Sequence, residues 1–126
     1  MLGQFAAVGV GAALGAWARW GLSAWLNPRI AHFPLGTLAA NLVGGYLVGL
    51  AVAYFVMRHD LPPEWRLFAV TGFLGGLTTF STFSAEVTEL LARGDFGAGI
   101  LLAAAHLCGS LLLTAAGFAT FRVLAG

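Results

Sequence analysis

Four apolar stretches, roughly Phe5 to Leu26, Leu35 to Met57, Leu67 to Leu91 and Gly97 to Val123, take up most of this 126-residue chain and leave little room for any fold that does not bury them. Each supplies the ~20 residues an α-helix needs to cross ~30 Å of hydrocarbon at ~1.5 Å per residue. In lipid the backbone must satisfy its own hydrogen bonds, so the expectation is an all-α membrane protein, one domain over residues 1–126 with four transmembrane helices. The punctuation agrees: Asn27-Pro28 and Pro34 bracket the first loop, Pro62-Pro63 the second, and Arg93-Gly94-Asp95 the third.

Composition excludes several classes. Only 9% of residues are charged, the net charge is +1 and there is no lysine, so no basic surface is available for nucleic acid. Cys108 is the sole cysteine and lies in an apolar run, as a small buried hydrophobe would. No nucleophile–base pair or metal-ligand cluster suggests an enzyme. Ala16-Trp17-Ala18 has the small-x-small shape of a signal cleavage site, but Met1 to Gln4 carries no basic region and Arg19 follows the supposed cut, so a retained helix is expected. Four crossings put Arg58, Arg66 and Arg122 on one side and Arg29 and Arg93 on the other. With Arg19 snorkelling towards the first loop the tally is even, and the chain can insert both ways and pair as an antiparallel homodimer. With Arg19 pointing into the bundle, a slight bias remains.

The third stretch is the unusual one. GFLGGLTTFSTFSAE, Gly72 to Glu86, puts three glycines and five hydroxyls into a membrane span, and both weaken a helix. A break is expected there. Irregular backbone at bilayer depth survives only beside other protein or a watery cavity, so the segment is where function is sought. Gly11 with Gly15, Gly45 with Gly49 and Gly72 with Gly76 are spaced for close helix packing.

The remaining polar residues each carry two readings. Asn41, alone in the second span, is either a donor to a ligand or an interhelical hydrogen bond holding the bundle. His106, Ser110 and Thr114 recur every four residues along one face of the fourth span, as a polar track for an anion or as hydroxyls bonding back to their own helix. Phe80 and Phe83 share a face if helix resumes after the break; their ring edges can meet an anion, or the rings simply pack. Glu86 lies one turn beyond Phe83 and can order hydroxyls or gate access, whereas Glu89 sits at the interface. Arg19 follows Gly15 by one turn and either raises anion concentration at a vestibule or snorkels.

GTLAANLVGGYLVG (Gly36 to Gly49) followed by TGFLGGLTTFSTFSAE (Thr71 to Glu86) resembles the Fluc family of fluoride channels, also called CrcB, and GVGAALGAWARW (Gly9 to Trp20) fits the same family. The resemblance covers the whole four-span length. It implies a dual-topology homodimer in the cell inner membrane that exports fluoride passively through two pores, with a structural sodium ion where the two third helices break. By position it puts the sodium-coordinating backbone carbonyls on Gly75 and Thr78, the pore phenylalanines on Phe80 and Phe83, the pore asparagine on Asn41 and the acid of the third helix on Glu86. Thr79, Thr82 and Ser110 join the expected fluoride path. The fourth span departs from the family pattern, with Leu102 and His106 where some members carry tyrosine or serine. A small multidrug exporter is the rival four-span reading, but it needs a buried carboxylate, typically in the first span, and Phe5 to Leu26 contains none.

Overall fold

The apolar stretches become four long helices in a computed structural model that describes residues 1–31 and 33–126. They are α1 (Leu2–Leu26), α2 (Leu35–Met57), α3 (Pro63–Ala92) and α4 (Phe96–Ala125), and the described residues contain no strand. α2 has the expected bounds. α3 begins earlier than expected because Pro63 takes the first helical position, where a missing N–H is harmless, with Glu64 favourably placed in the first turn.

Each connection is tied down locally. After α1, a 3₁₀ turn at Asn27–Arg29 sends the Asn27 carboxamide across the loop, where its oxygen accepts from the Gly36 amide at 2.6 Å, one of the unpaired donors at the start of α2. After α2, the exposed Arg58 guanidinium grips Asp60 at 2.8 Å; hydrogen bonding to Arg58 holds the Asp60 carboxyl down at about 2, and the same pair raises Arg58. After α3, Gly94 turns at φ 84, and the amides of Gly94 and Asp95 close onto the carbonyls of Leu91 and Leu90 at 3.0 and 2.9 Å. That is the glycine-dependent helix stop, which only a residue tolerant of positive φ makes without strain.

All three expected glycine pairs lie at helix contacts. Gly11 and Gly15 of α1 face Gly72 and Gly76 of α3: a Cβ on Gly72 would stand 3.0 Å from Gly11 Cα, and one on Gly15 2.7 Å from Leu77 N. Gly49 of α2 meets Gly117 of α4 in the same way, and a Cβ on Gly45 would lie 3.1 Å from Ser110 O. Lipid supplies no hydrophobic drive between helices, so this close van der Waals approach is what binds the pairs. α1 therefore lies along the first half of α3, and α2 along α4. A small core of Ala40, Leu74 and Leu77 joins the pairs. The large apolar side chains left outside, among them Trp17, Trp20, Leu107 and Leu112, form the surface expected against hydrocarbon.

α3 is not uniform. Pro63–Arg66 is α-helical, Leu67–Leu74 is wound as a π-helix, Gly75–Leu77 returns to α, and helix resumes at Phe80–Ala92. The expected break is present, but it falls on Thr78 and Thr79.

Candidate functional site

The glycines do not do the unwinding. Gly75 is helical at φ −64 and ψ −37, and Gly76 is used for packing against Ala12 and Ala16. The extended residues are Thr78 (φ −89, ψ 153) and Thr79 (φ −152, ψ 119), both β-branched and at ease in that conformation. The Thr79 hydroxyl takes over a bond that helix would have made, and the Thr78 hydroxyl doubles the one its own amide keeps to Leu74 O. Thr78 Oγ1 donates to Leu74 O at 2.8 Å, and Thr79 Oγ1 accepts from Thr82 N at 3.1 Å as the N-cap of the resumed helix.

Asn41 pins the break from α2. Its Oδ1 accepts from Thr79 N at 2.7 Å, and its Nδ2 donates to Thr79 O at 3.0 Å and to His106 Nδ1 at 2.9 Å. The carboxamide oxygen and both amide hydrogens thus make the interhelical bonds of one of the two readings of Asn41, at a residue that also lines a groove beside the break.

These diversions free two carbonyls. In unbroken helix the Thr79 amide would close onto Gly75 O and the Thr82 amide onto Thr78 O; the first goes to Asn41 and the second to Thr79 Oγ1. Gly75 is exposed and Thr78 half-buried. Gly75 and Thr78 are the pair expected to offer carbonyl oxygens to sodium, and the donor set suits a hard cation. Beside them, Gly76 O accepts from Arg19 Nε at 3.0 Å. The expectation that Arg19 snorkels to the first loop is thus corrected: the guanidinium turns inward, because a carbonyl at the end of a half-helix attracts a cation. The loop arginines then stand three against two, the slight bias anticipated for that case.

A groove of about 280 Å³ runs beside the break, and Asn41, Thr79, Phe80, Phe83, His106 and Ser110 all line it. The Phe80 and Phe83 rings meet edge to face, 5.3 Å apart at 80°, and Phe83 lies 4.5 Å from the His106 ring at 30°. Phe80 is 77% exposed, so the groove opens on the outer face of the chain. His106 itself is buried, and its Nε2 has no hydrogen-bond partner among the described residues. Thr82 reaches the groove only through its hydrogen bond with Thr79 at 3.2 Å.

Glu86 is elsewhere. It lines a second cavity of about 260 Å³ with Asn27, Glu89 and Arg93. Its Oε1 accepts from the buried Thr37 hydroxyl at 2.6 Å, and its Oε2 is buried without a partner among the described residues. Thr37 was missed in the sequence; its one signal is a position one helical turn before Asn41 on the same face. Thr114 departs from the reading in which it bonds to its own helix: Oγ1 donates across to Gly45 O at 2.9 Å, because the glycine brings that carbonyl within reach.

Residues 6–118 match the family described as CrcB-like protein, Camphor Resistance (CrcB). The chain belongs to the CrcB family. It is 62% identical over 121 residues to the "Fluoride-specific ion channel FluC" of Cupriavidus taiwanensis, covering 96% of each chain. The protein of the same name from Thiobacillus denitrificans is 58% identical over 120 residues, 95% of this chain and 97% of the relative. That from Ralstonia pickettii is 62% identical over 118 residues, 94% of each. These CrcB relatives are named as ion channels rather than enzymes, and the four spans make this CrcB chain a multi-pass membrane protein.

Proposed function

We propose that this chain is a fluoride-selective passive channel that exports cytoplasmic fluoride across the cell inner membrane as an antiparallel homodimer with a structural sodium ion at its centre. The observation that carries the reading is the groove beside the Thr78–Thr79 break, where ring edges, a hydroxyl and an imidazole meet without a fixed positive charge. Fluoride is small and tightly hydrated, so a path for it must replace water with neutral donors at close range. Rings of charge would hold it too tightly or admit chloride. Ser110, His106 and the edges of Phe80 and Phe83 suit that task, while Thr79 and Thr82 shape the break and Asn41 holds it. Arg19, anchored at Gly76 beside the break, supplies positive charge for a vestibule, and Glu86 acts from the neighbouring cavity with Thr37.

A passive path suffices thermodynamically. A negative-inside potential drives a monovalent anion outward by about 2.3 kcal/mol per 100 mV, roughly a 50-fold concentration ratio. Dimerisation is supported by what the protomer leaves open: the groove mouth at Phe80 and the exposed Gly75 need covering in lipid. The bias of three loop arginines against two is slight enough to permit insertion both ways. Sodium would be held by the Gly75 and Thr78 carbonyls of two such protomers, joining the two breaks.

The test is anion efflux from liposomes holding the purified protein, with Phe80→Ile alongside. Fluoride release without chloride release, slowed in the variant, supports the proposal; equal chloride release rejects selectivity, and proton-coupled cation uptake favours the exporter. For topology, His59→Cys in a Cys108→Ser background should label from both faces of the membrane. Labelling from one face only rejects dual insertion.

A further inference from the structure

We propose that His106 is the positioning residue of the break: an unprotonated Nδ1 fixes the Asn41 carboxamide, and the carboxamide fixes Thr79. The proposal rests on the fluoride-path reading and deepens it. A backbone N–H only donates and a carbonyl only accepts, so the two bonds to Thr79 allow the Asn41 carboxamide a single orientation, oxygen towards Thr79 N and NH₂ towards Thr79 O. The second amide hydrogen then meets His106 Nδ1 at 2.9 Å, and that nitrogen must accept. A neutral imidazole with an accepting Nδ1 carries its proton on Nε2. The tautomer of a side chain in α4 is therefore dictated by the backbone of α3, through one side chain of α2.

Two further observations fit. The Phe83 ring lies against the imidazole at 4.5 Å and holds its plane, so the Nδ1 lone pair stays aimed at Asn41. The other nitrogen, Nε2, is buried with no partner among the described residues, so fixing Nδ1 as the acceptor leaves a neutral N–H donor on a side chain that lines the groove with Ser110. Without an acceptor at the δ position, the Asn41 amide keeps an unsatisfied hydrogen and grips Thr79 by two bonds in place of a three-bond link, so the Thr79 amide is more easily drawn back towards Gly75 O and the break towards closing. In the fourth span, where the sequence departs from the family pattern, histidine thus does work that a side chain with no acceptor one bond from Cγ cannot do.

The experiment separates the two ring nitrogens. In His106→Asn the carboxamide oxygen hangs from Cγ as Nδ1 does, whereas in His106→Gln the polar atoms sit one bond further out, near the place of Nε2. Both variants and the wild type are purified, checked for the same oligomeric state and assayed for fluoride efflux from liposomes. Expected is efflux within about threefold of wild type for His106→Asn and a loss of about tenfold for His106→Gln, towards the upper end of the range for one interhelical hydrogen bond. Wild-type efflux in His106→Gln, or a loss in His106→Asn as large as that in His106→Gln, overturns the proposal. Nitrogen-15 NMR of ring-labelled wild type decides the tautomer independently of transport: an unprotonated Nδ1 with a protonated Nε2 supports it, and a protonated Nδ1 overturns it. A wild type that passes no fluoride would sink the functional reading while leaving the NMR result to judge His106.

Discussion

The two halves of α3 are held in place by different physics. Up to Leu77 it lies against α1 backbone to backbone, with Gly11, Gly15, Gly72 and Gly76 in the contact, and the Arg19 guanidinium hydrogen-bonds across to Gly76 O. From Thr78 onward it is held by side chains: the Asn41 carboxamide, the Thr78 and Thr79 hydroxyls, and the link from Thr37 to Glu86. The first half is a rigid mount with no adjustable part. The second half also packs on α4 through Phe83, Leu90 and Leu91, but at the break itself directional bonds set its position, so it can offer donors to a ligand. A membrane helix can thus be broken without being loosened, provided that one side of the break is clamped by shape.

Changes on the glycine side should be the most damaging. Gly15→Val places a branched side chain where even a Cβ would stand 2.7 Å from Leu77 N, and backbone on both sides cannot yield. Loss of monodisperse protein on size exclusion is expected, whereas Gly9→Ala on the same helix, with nothing within 4 Å, should purify as wild type. A well-behaved Gly15→Val would break the comparison.

On the other side, Thr79→Val keeps the extended backbone but removes the N-cap to Thr82. An N-cap contributes about 1 kcal/mol, so fluoride efflux should fall about fivefold from a protein that still assembles. Smaller again is Thr114→Val, which deletes the bond to Gly45 O but keeps the shape. With interhelical bonds averaging about 0.6 kcal/mol, a slightly lower melting temperature and unchanged efflux are expected. The least effect lies outside the membrane. The Asp60 carboxylate is held at about 2, below its usual value, so its pair with Arg58 is intact at neutral pH and is lost only as pH falls through about 2. A carbon-13 titration of Asp60 should show that midpoint; one near 4 would mean that the pair does not form, and Asp60→Asn should leave efflux unaltered.

Much of this arrangement was legible in the sequence because membrane solvent leaves few choices. Twenty-residue apolar runs must be helices, and glycines four apart mark where helices touch. The location of the break was legible too, since hydroxyls and glycines in a span signal trouble for a helix. Which residues unwind was not, because weak glycines and competing hydroxyls implicate the whole segment alike, while Gly76 is needed by α1 and Thr79 carries the cap of the resumed helix. Arg19 and Asn41 each had two readings in one dimension. Choosing between them needed the positions of Gly76 O and the Thr79 backbone, which lie 57 and 38 residues away. The π-wound Leu67–Leu74 left no mark that periodicity could read: its residues are apolar apart from Thr71, and one polar position cannot show that a turn holds one more residue.

The claim at the centre is that a neutral carboxamide, and not steric packing, holds the fluoride path open at Thr79. Asn41→Ala tests it most directly, because it removes all three bonds and touches none of the glycine contacts. Leaving the Thr79 groups unpaired costs about 1–3 kcal/mol, so fluoride efflux from liposomes should drop roughly tenfold to a hundredfold while the protein elutes with the oligomeric state of wild type. Efflux at the wild-type rate would contradict the account.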